Sequence, residues 1–246
     1  MRIIFLGTNG WYDTDTGNTV CVLVESKKEY IILDAGYGIY KVDKYIKADK
    51  PVYLFLSHFH LDHIIGLHAL NKFVFSQGID IYGPPGLKKW LKTIINPPYS
   101  LPFNKLKIKV RLYELRKGSF LPLKMRSLKL KHPSECYGYR FNIEDKILSY
   151  CTDTGICRNL FELARGADLF ITECSYKPGQ SNNKWPHLNP EEAGYVAKKA
   201  AVKSMALMHF DAENYPTIKE RLFAQAKARK VFPGSYAAKD NMVKEL

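Results

Sequence analysis

The chain has 246 residues, of which 46% are hydrophobic and 13% aromatic, enough to bury a sizeable core, which excludes a disordered protein. A net charge of +13 and a pI near 9.4 favour an anionic, phosphate-bearing partner, without distinguishing a nucleotide from a polynucleotide, over the alternative of a lysine-rich surface that serves solubility alone. Five cysteines, at 21, 136, 151, 157 and 174, are odd in number and form no C-x-x-C pair. No apolar run reaches the ~18 residues of a membrane span. A disulfide scaffold and a membrane protein are thereby set aside, and a soluble protein of the reducing cytoplasm is expected.

The opening apolar run is too short for a signal-peptide core and reads as a strand over 2–6. Further strands are predicted at 19–25, 29–33, 52–56, 79–82, 106–115, 123–131, 137–143, 146–152, 168–173 and 203–208. Apolar spacing of three and four predicts a helix over 64–75, a double proline precedes one over 86–95, and 157–165 reads as a short amphipathic helix. Asn189-Pro190-Glu191-Glu192 offers an N-cap, a proline at the first helical position and an acid at the third, opening a helix to about Ala201. Tyr215-Pro216 precedes another, through about Ala228. No Gly/Ser/Pro-rich linker divides the chain, so one domain over 1–246 is expected. Strands clustered with helices between them, without strict βα alternation, imply an α+β fold: two mixed sheets with helices outside, an αββα sandwich.

Charge also patterns one predicted strand. Over 106–112 apolar and basic residues alternate, so Lys107, Lys109 and Arg111 are expected to face solvent together, with Lys129 and Lys131 extending that face.

The chemistry concentrates after the strand at 52–56. His58, His60, Asp62 and His63 place three of the chain's seven histidines in six residues. Residues two apart in extended backbone point the same way, so His58 and His60 can grip one ion while Asp62 and His63, past the turn, face another. Imidazole and carboxylate donors suit zinc best, with manganese or iron possible, and the absence of cysteine from the run argues against a closed structural zinc site. The plain alternative is a solvated histidine-rich turn, which would use Gly, Asn or Pro instead. His132, Asp153 and His209 each follow another predicted strand and could complete two sites, a carboxylate such as Asp153 being able to bridge two cations. Singly, the two histidines read equally well as partly buried side chains, and Asp153 as part of a turn with Gly155. His68 lies in no motif and reads as structural.

These pieces, with Phe5-Leu-Gly-Thr8, Ile31-Ile-Leu-Asp34-Ala-Gly36 and Thr152-Asp153-Thr154 in order, resemble the metallo-β-lactamase superfamily of metal-dependent hydrolases, nearly end to end. The resemblance implies the αββα fold, with His58, His60 and His132 on one metal, Asp62, His63 and His209 on the other, Asp153 bridging, and Asp34 supporting the histidine loop. Tyr82-Gly-Pro-Pro-Gly-Leu87, Ala167-Asp-Leu-Phe-Ile-Thr-Glu173, His187 ahead of Glu191-Glu-Ala-Gly, and His209-Phe-Asp-Ala-Glu-Asn-Tyr215 are similar to the branch containing ribonuclease Z and its phosphodiesterase relatives. In that branch Glu173 and His187 would form a proton-donating pair, so the implied catalytic groups are Asp62, itself a ligand, with Glu173 and His187. His187 reads equally as a helix-entry residue packing on Trp185. Ribonuclease Z usually carries a tRNA-gripping arm between the third ligand and the bridging aspartate. Here His132 and Asp153 leave room for two strands only, 137–143 and 146–151.

The expectation is a hydrolase with two divalent metal ions, a phosphodiesterase acting on nucleotides or nucleic-acid ends. Ribonuclease Z activity, hydrolysis of a lactone or thioester, and a non-catalytic nucleic-acid-binding metalloprotein stand as alternatives. Flavin-linked members of the fold carry an acid where this chain has His60, which disfavours electron transfer. Oligomers are common in the resembled branch, so a homodimer is an expectation, although no segment marks an interface.

Overall fold

Runs of Val, Ile, Leu and Phe set the frame, because strands buried on both faces need no polar alternation. The computed structural model describes residues 1–116 and 121–246. The strands are β1 (Arg2–Gly7), β2 (Asn9–Gly10), β3 (Cys21–Glu25), β4 (Tyr30–Leu33), β5 (Val52–Phe55), β6 (Ile79–Gly83), β7 (Val110–Glu114), β8 (Met125–Lys129), β9 (Tyr137–Ile143), β10 (Lys146–Cys151), β11 (Leu169–Glu173), β12 (Met205–Met208), β13 (Phe210–Asp211), β14 (Ser235–Ala237) and β15 (Met242–Glu245). The helices are α1 (Leu61–Ile64), α2 (Leu87–Ile94), α3 (Arg158–Ala164), α4 (Pro190–Lys199) and α5 (Ile218–Val231).

One sheet runs β15-β1-β3-β4-β5-β6-β7, antiparallel as far as β4 and parallel from β4 to β7. The other runs β14-β12-β11-β10-β9-β8, parallel through β10 and antiparallel beyond. Both are mixed, as expected from sequence. Phe5, Leu33 and Phe55 of the first sheet pack on Tyr139, Phe141, Tyr150 and Ile171 of the second. The outer face of the first sheet is covered by α2 and by 3-10 turns at Tyr37–Lys44 and Ile65–Lys72, that of the second by α3, α4 and α5. The result is the four-layer sandwich.

The N-cap reading at Asn189 holds: its side chain accepts from Glu192 N while Glu192 accepts from Asn189 N. Two other expectations are corrected. The helix expected over 64–75 is the single turn α1 followed by 3-10 turns, because Gly66 N donates to Ala35 O and its Cα lies against the Gly36 carbonyl, where a Cβ would sit 2.3 Å away. The strand expected from 106 begins only at Val110, so Lys107 and Lys109 lie in irregular chain, and Arg111 pairs with Asp80 across β6. There is no continuous basic face on that strand.

β2 and β13 were not anticipated. They pair in parallel, Phe210 with Asn9 and Asp211 with Gly10, and so carry the chain's beginning to the residues beside His209.

Candidate metal centre

Every sequence-identified ligand candidate follows a strand end on the same side of the sandwich: His58 to His63 after β5, His132 after β8, Asp153 after β10 and His209 after β12. The described chain brings all seven together. The rings of His58, His60 and His132 lie 4.5 to 5.0 Å apart, centroid to centroid, and form one triangle. Asp62, His63 and His209 form a second: His209 Nε2 is 3.2 Å from Asp62 Oδ2 and 3.1 Å from His63 Nε2.

Asp153 stands between them. Its Oδ2 is 3.5 Å from His58 Nε2 and 4.0 Å from His132 Nε2, whereas Oδ1 is 3.3 Å from His63 Nε2 and 3.0 Å from His209 Nε2. Each oxygen faces one triangle.

The backbone is strained to achieve this. Asp34, Asp153 and His209 all adopt positive φ (58°, 49° and 49°), a conformation that costs a non-glycine residue free energy, so the surrounding contacts must hold these three in place. Asp34 is fully buried; it accepts from Ser57 N at 2.7 Å, Ser57 Oγ at 2.8 Å and the Tyr150 hydroxyl at 2.6 Å, and meets His63 Nδ1 at 2.9 Å. One carboxylate thus fixes both the strand-end loop and an imidazole. Ser134 Oγ lies 2.8 Å from His60 Nε2, leaving Nδ1 as that ring's free donor atom, and Ser175 Oγ lies 3.0 Å from His209 Nδ1.

The charges suit a cation. Burial lowers the pKa of His58 and of His60, and pushes His132 down to about 4, keeping these rings neutral with a lone pair to offer. Burial opposes ionisation of Asp62 and Asp153, yet the facing imidazoles of His63 and His209 hold both below the usual carboxylate range. His63 and His209 are conversely raised, against burial, Asp153 being the foremost of the carboxylates around each. Buried atoms with no partner provide the test of fit: Nε2 of His58 and Nε2 of His132 have no hydrogen bond. Two orphaned imidazole nitrogens beside a shared carboxylate are an arrangement completed by a divalent cation.

Glu173 and His187 meet beside the triangles. His187 Nδ1 is 2.8 Å from Glu173 Oε1, and the fully buried Glu173 also accepts from Thr154 N at 2.5 Å. Burial works against a charged His187, but the Glu173 carboxylate holds its pKa up to about 9. The Trp185 indole stacks on His60, ring planes 2° apart, while His187 lies edge-on to Tyr176. His68 stands apart, stacked on Tyr37.

A cavity of about 330 Å³ opens over these groups, walled by Trp11, Tyr176 and Trp185. Among the described residues its lining holds three carboxylates and neither lysine nor arginine. Sequence reading missed Gly10, Trp11, Ser134 and Ser175. Gly10 touches the His209 ring so closely that a Cβ would lie 2.6 Å from it, and Trp11 N donates to Asp62 Oδ2 at 2.9 Å. For Gly10 and Trp11 the short Gly-Thr-Asn-Gly stretch after the first strand was the available signal.

Residues 29–210 match the model of the β-lactamase superfamily domain. The chain belongs to that family. It is accordingly a metal-dependent hydrolase, and the two triangles are groups that could hold a metal ion. It is 26% identical to a ribonuclease Z of Methanosarcina mazei, covering 100% of this chain and 98% of the relative. It is likewise 26% identical to that of Pyrococcus abyssi, covering 85% of this chain and 86% of the relative. Among solved structures it superposes on the metallo-β-lactamase fold protein YhfI of Bacillus subtilis with a TM-score of 0.82 at 24% identity, covering 100% of this chain and 98% of that one. For the short form of human tRNase Z the TM-score is 0.77 at 21% identity, covering 100% and 99%. The metallo-β-lactamase fold expected from sequence is the fold observed. No helix among the described residues is long and apolar enough to cross a membrane.

Proposed function

We propose that this chain is a binuclear metal-dependent phosphodiesterase acting on nucleotides or nucleic-acid ends. The observation that carries the reading is Asp153, with one carboxylate oxygen toward each triangle. His58, His60 and His132 would hold one cation and Asp62, His63 and His209 the other, Asp153 serving both. Zinc fits these donors best; two such cations supply Lewis-acid stabilisation of phosphoryl oxygens and water activated near neutral pH.

The chain's own groups account for the rest. His187, kept protonated by Glu173, is placed to give a proton to the leaving oxygen, and Glu173, locked by Thr154 N, fixes the ring's orientation. Trp11, Tyr176 and Trp185 wall the mouth and offer flat faces to a base. With no lysine or arginine in the described lining, the substrate's negative charge falls to the cations and to His187.

Relatives named ribonuclease Z, matched over nearly their whole length, favour tRNA 3′-end processing as the second reading. Two observations weigh against it. His132 and Asp153 are linked by the β9–β10 hairpin, whose two-residue turn Glu144-Asp145 has both φ values positive, the tight hairpin geometry. An alignment of 306 positions for a chain of 246 residues also leaves about 60 positions of the Methanosarcina relative without a counterpart.

The zinc-loaded protein should hydrolyse bis-p-nitrophenyl phosphate faster than any member of a lactone panel, and His63→Ala should abolish that turnover while leaving the circular dichroism spectrum unchanged. Full activity in His63→Ala removes the mechanism, and a faster lactone transfers it to acyl chemistry. Accurate cleavage of a tRNA precursor would establish the second reading.

A further inference from the structure

A second cavity, of about 440 Å³, lies on the outer face of the second sheet, beside α3, and four of its lining residues are Arg126, Arg140, Arg158 and Arg165. Arg126 and Arg140 are directly paired across β8 and β9, where like charges destabilise a sheet. The half-buried Arg140 donates to Leu163 O, and its guanidinium pKa is lowered by burial and by the charges of Arg126 and Arg165. Glu162 is the one carboxylate in the described lining, and it is taken by Arg126. Among the described residues neither the Arg158 nor the Arg165 side chain has a hydrogen bond or an ion pair. So concentrated and poorly neutralised a set of guanidinium groups is suited to oxyanions, which it can meet with paired N–H donors.

We propose that this cavity binds phosphate groups of a polynucleotide strand, several nucleotides from the bond that is cut. The placement favours a strand over a single compact anion. α3 connects the parallel strands β10 and β11 and therefore runs back away from their catalytic ends. Arg158 follows Asp153 by only five residues, and Arg165 lies a further seven along the helix, about 10 Å at 1.5 Å per residue. That span lets Arg158 and Arg165 each meet a different phosphate of one strand. The cations form a stripe leading from the catalytic end, and they supply the positive charge that the described lining of the catalytic cavity lacks. The assignment rests on the phosphodiesterase reading for its substrate, but binding tests it without turnover.

The test is the double variant Arg158→Ser/Arg165→Ser, whose two exposed side chains hold nothing in place. For a 12-nucleotide RNA its KM should rise about tenfold, and the slope of log affinity on log salt should become shallower by about 1.4, two single-strand phosphate contacts. Turnover of bis-p-nitrophenyl phosphate and of a dinucleotide should match wild type. An unchanged KM for the 12-mer overturns the proposal. If calorimetry shows inorganic pyrophosphate binding lost in the variant while that KM holds, the cavity serves a small phosphate compound and the strand assignment is again overturned. Should wild type cleave no phosphodiester, the catalytic reading fails separately, and equilibrium binding of a labelled 12-mer decides the cavity: about tenfold weaker in the variant, or the proposal falls.

Discussion

Behind His58 and His60 stand hydroxyls, those of Ser57 and Ser134; behind His63 stands the Asp34 carboxylate, and Asp62 itself faces His209. The first triangle is three neutral imidazoles with two orphaned nitrogens, the second a carboxylate and two imidazoles whose pKa values are raised by surrounding acids. The contrast teaches that one chain can give two adjacent triangles unequal negative charge, and on the binuclear proposal each would hold a cation. The second half should hold its cation tighter, and the first should be the one to exchange. Titration with chelator should therefore remove two equivalents in two steps.

The largest effect tests whether the halves are separable at all. Asp153→Asn keeps the shape of the side chain but removes the charge that both triangles share, so both equivalents should weaken together and turnover should fall at least about 10³-fold. Retention of two tightly held equivalents with substantial activity would dismiss Asp153 as the common ligand.

Glu173→Gln should leave both halves loaded, since the amide can still accept from Thr154 N through its oxygen, and should slow the reaction about 10²-fold through the lost charge on His187. The sign of its pH effect follows from the pair. A proton donor works below its own pKa, and the carboxylate holds that of His187 up to about 9, so activity falls as pH rises through that value. Removing the charge lowers the pKa, and the alkaline limb should move to lower pH, with part of the lost rate recovered at pH 6. A limb that stays in place would assign it to another group.

The difference between the halves also decides how legible they were in sequence. His58, His60, Asp62 and His63 lie in one run after β5, where two-residue alternation and a single turn of helix fix their directions, so local rules suffice. The strands from β1 to β12 were mostly read correctly because apolar runs announce them. Nothing local announces β2, β13, β14 or β15, which are two to four residues long and exist by pairing with distant partners. Through the β2–β13 pairing, Gly10 and Trp11 reach His209 and Asp62 across the sequence. The basic patch was sought on 106–112 by alternation, but the chain there is irregular until Val110, and the arginines that do gather come from β8, β9 and α3. The Glu173–His187 pair was visible only through resemblance, since a glutamate ending a strand and a histidine before a helix carry no periodicity.

Gly10→Ala probes the non-local part of the second half. The new Cβ would lie 2.6 Å from the His209 ring, so the ring or the β2 backbone must shift. The tighter equivalent should lose about tenfold in affinity while the weaker one is unaffected, a result read directly from the two-step chelator titration. Equal weakening of both steps would mean that the shift propagates through Asp153.

The smallest effect separates the halves most cleanly. Ser134→Ala removes the hydroxyl on His60 Nε2, and Ser175→Ala the one on His209 Nδ1, which also donates to His209 O; each orients one ring. Outer-shell partners of this kind are typically worth at least about tenfold in metal affinity. Ser175 is buried, whereas Ser134 is half-buried, so water can replace its bond more readily. Ser175→Ala should therefore weaken only the tight step, by about tenfold, and Ser134→Ala only the loose step, by a few-fold. If both serines act on the same step, the division of the seven side chains into two groups is wrong.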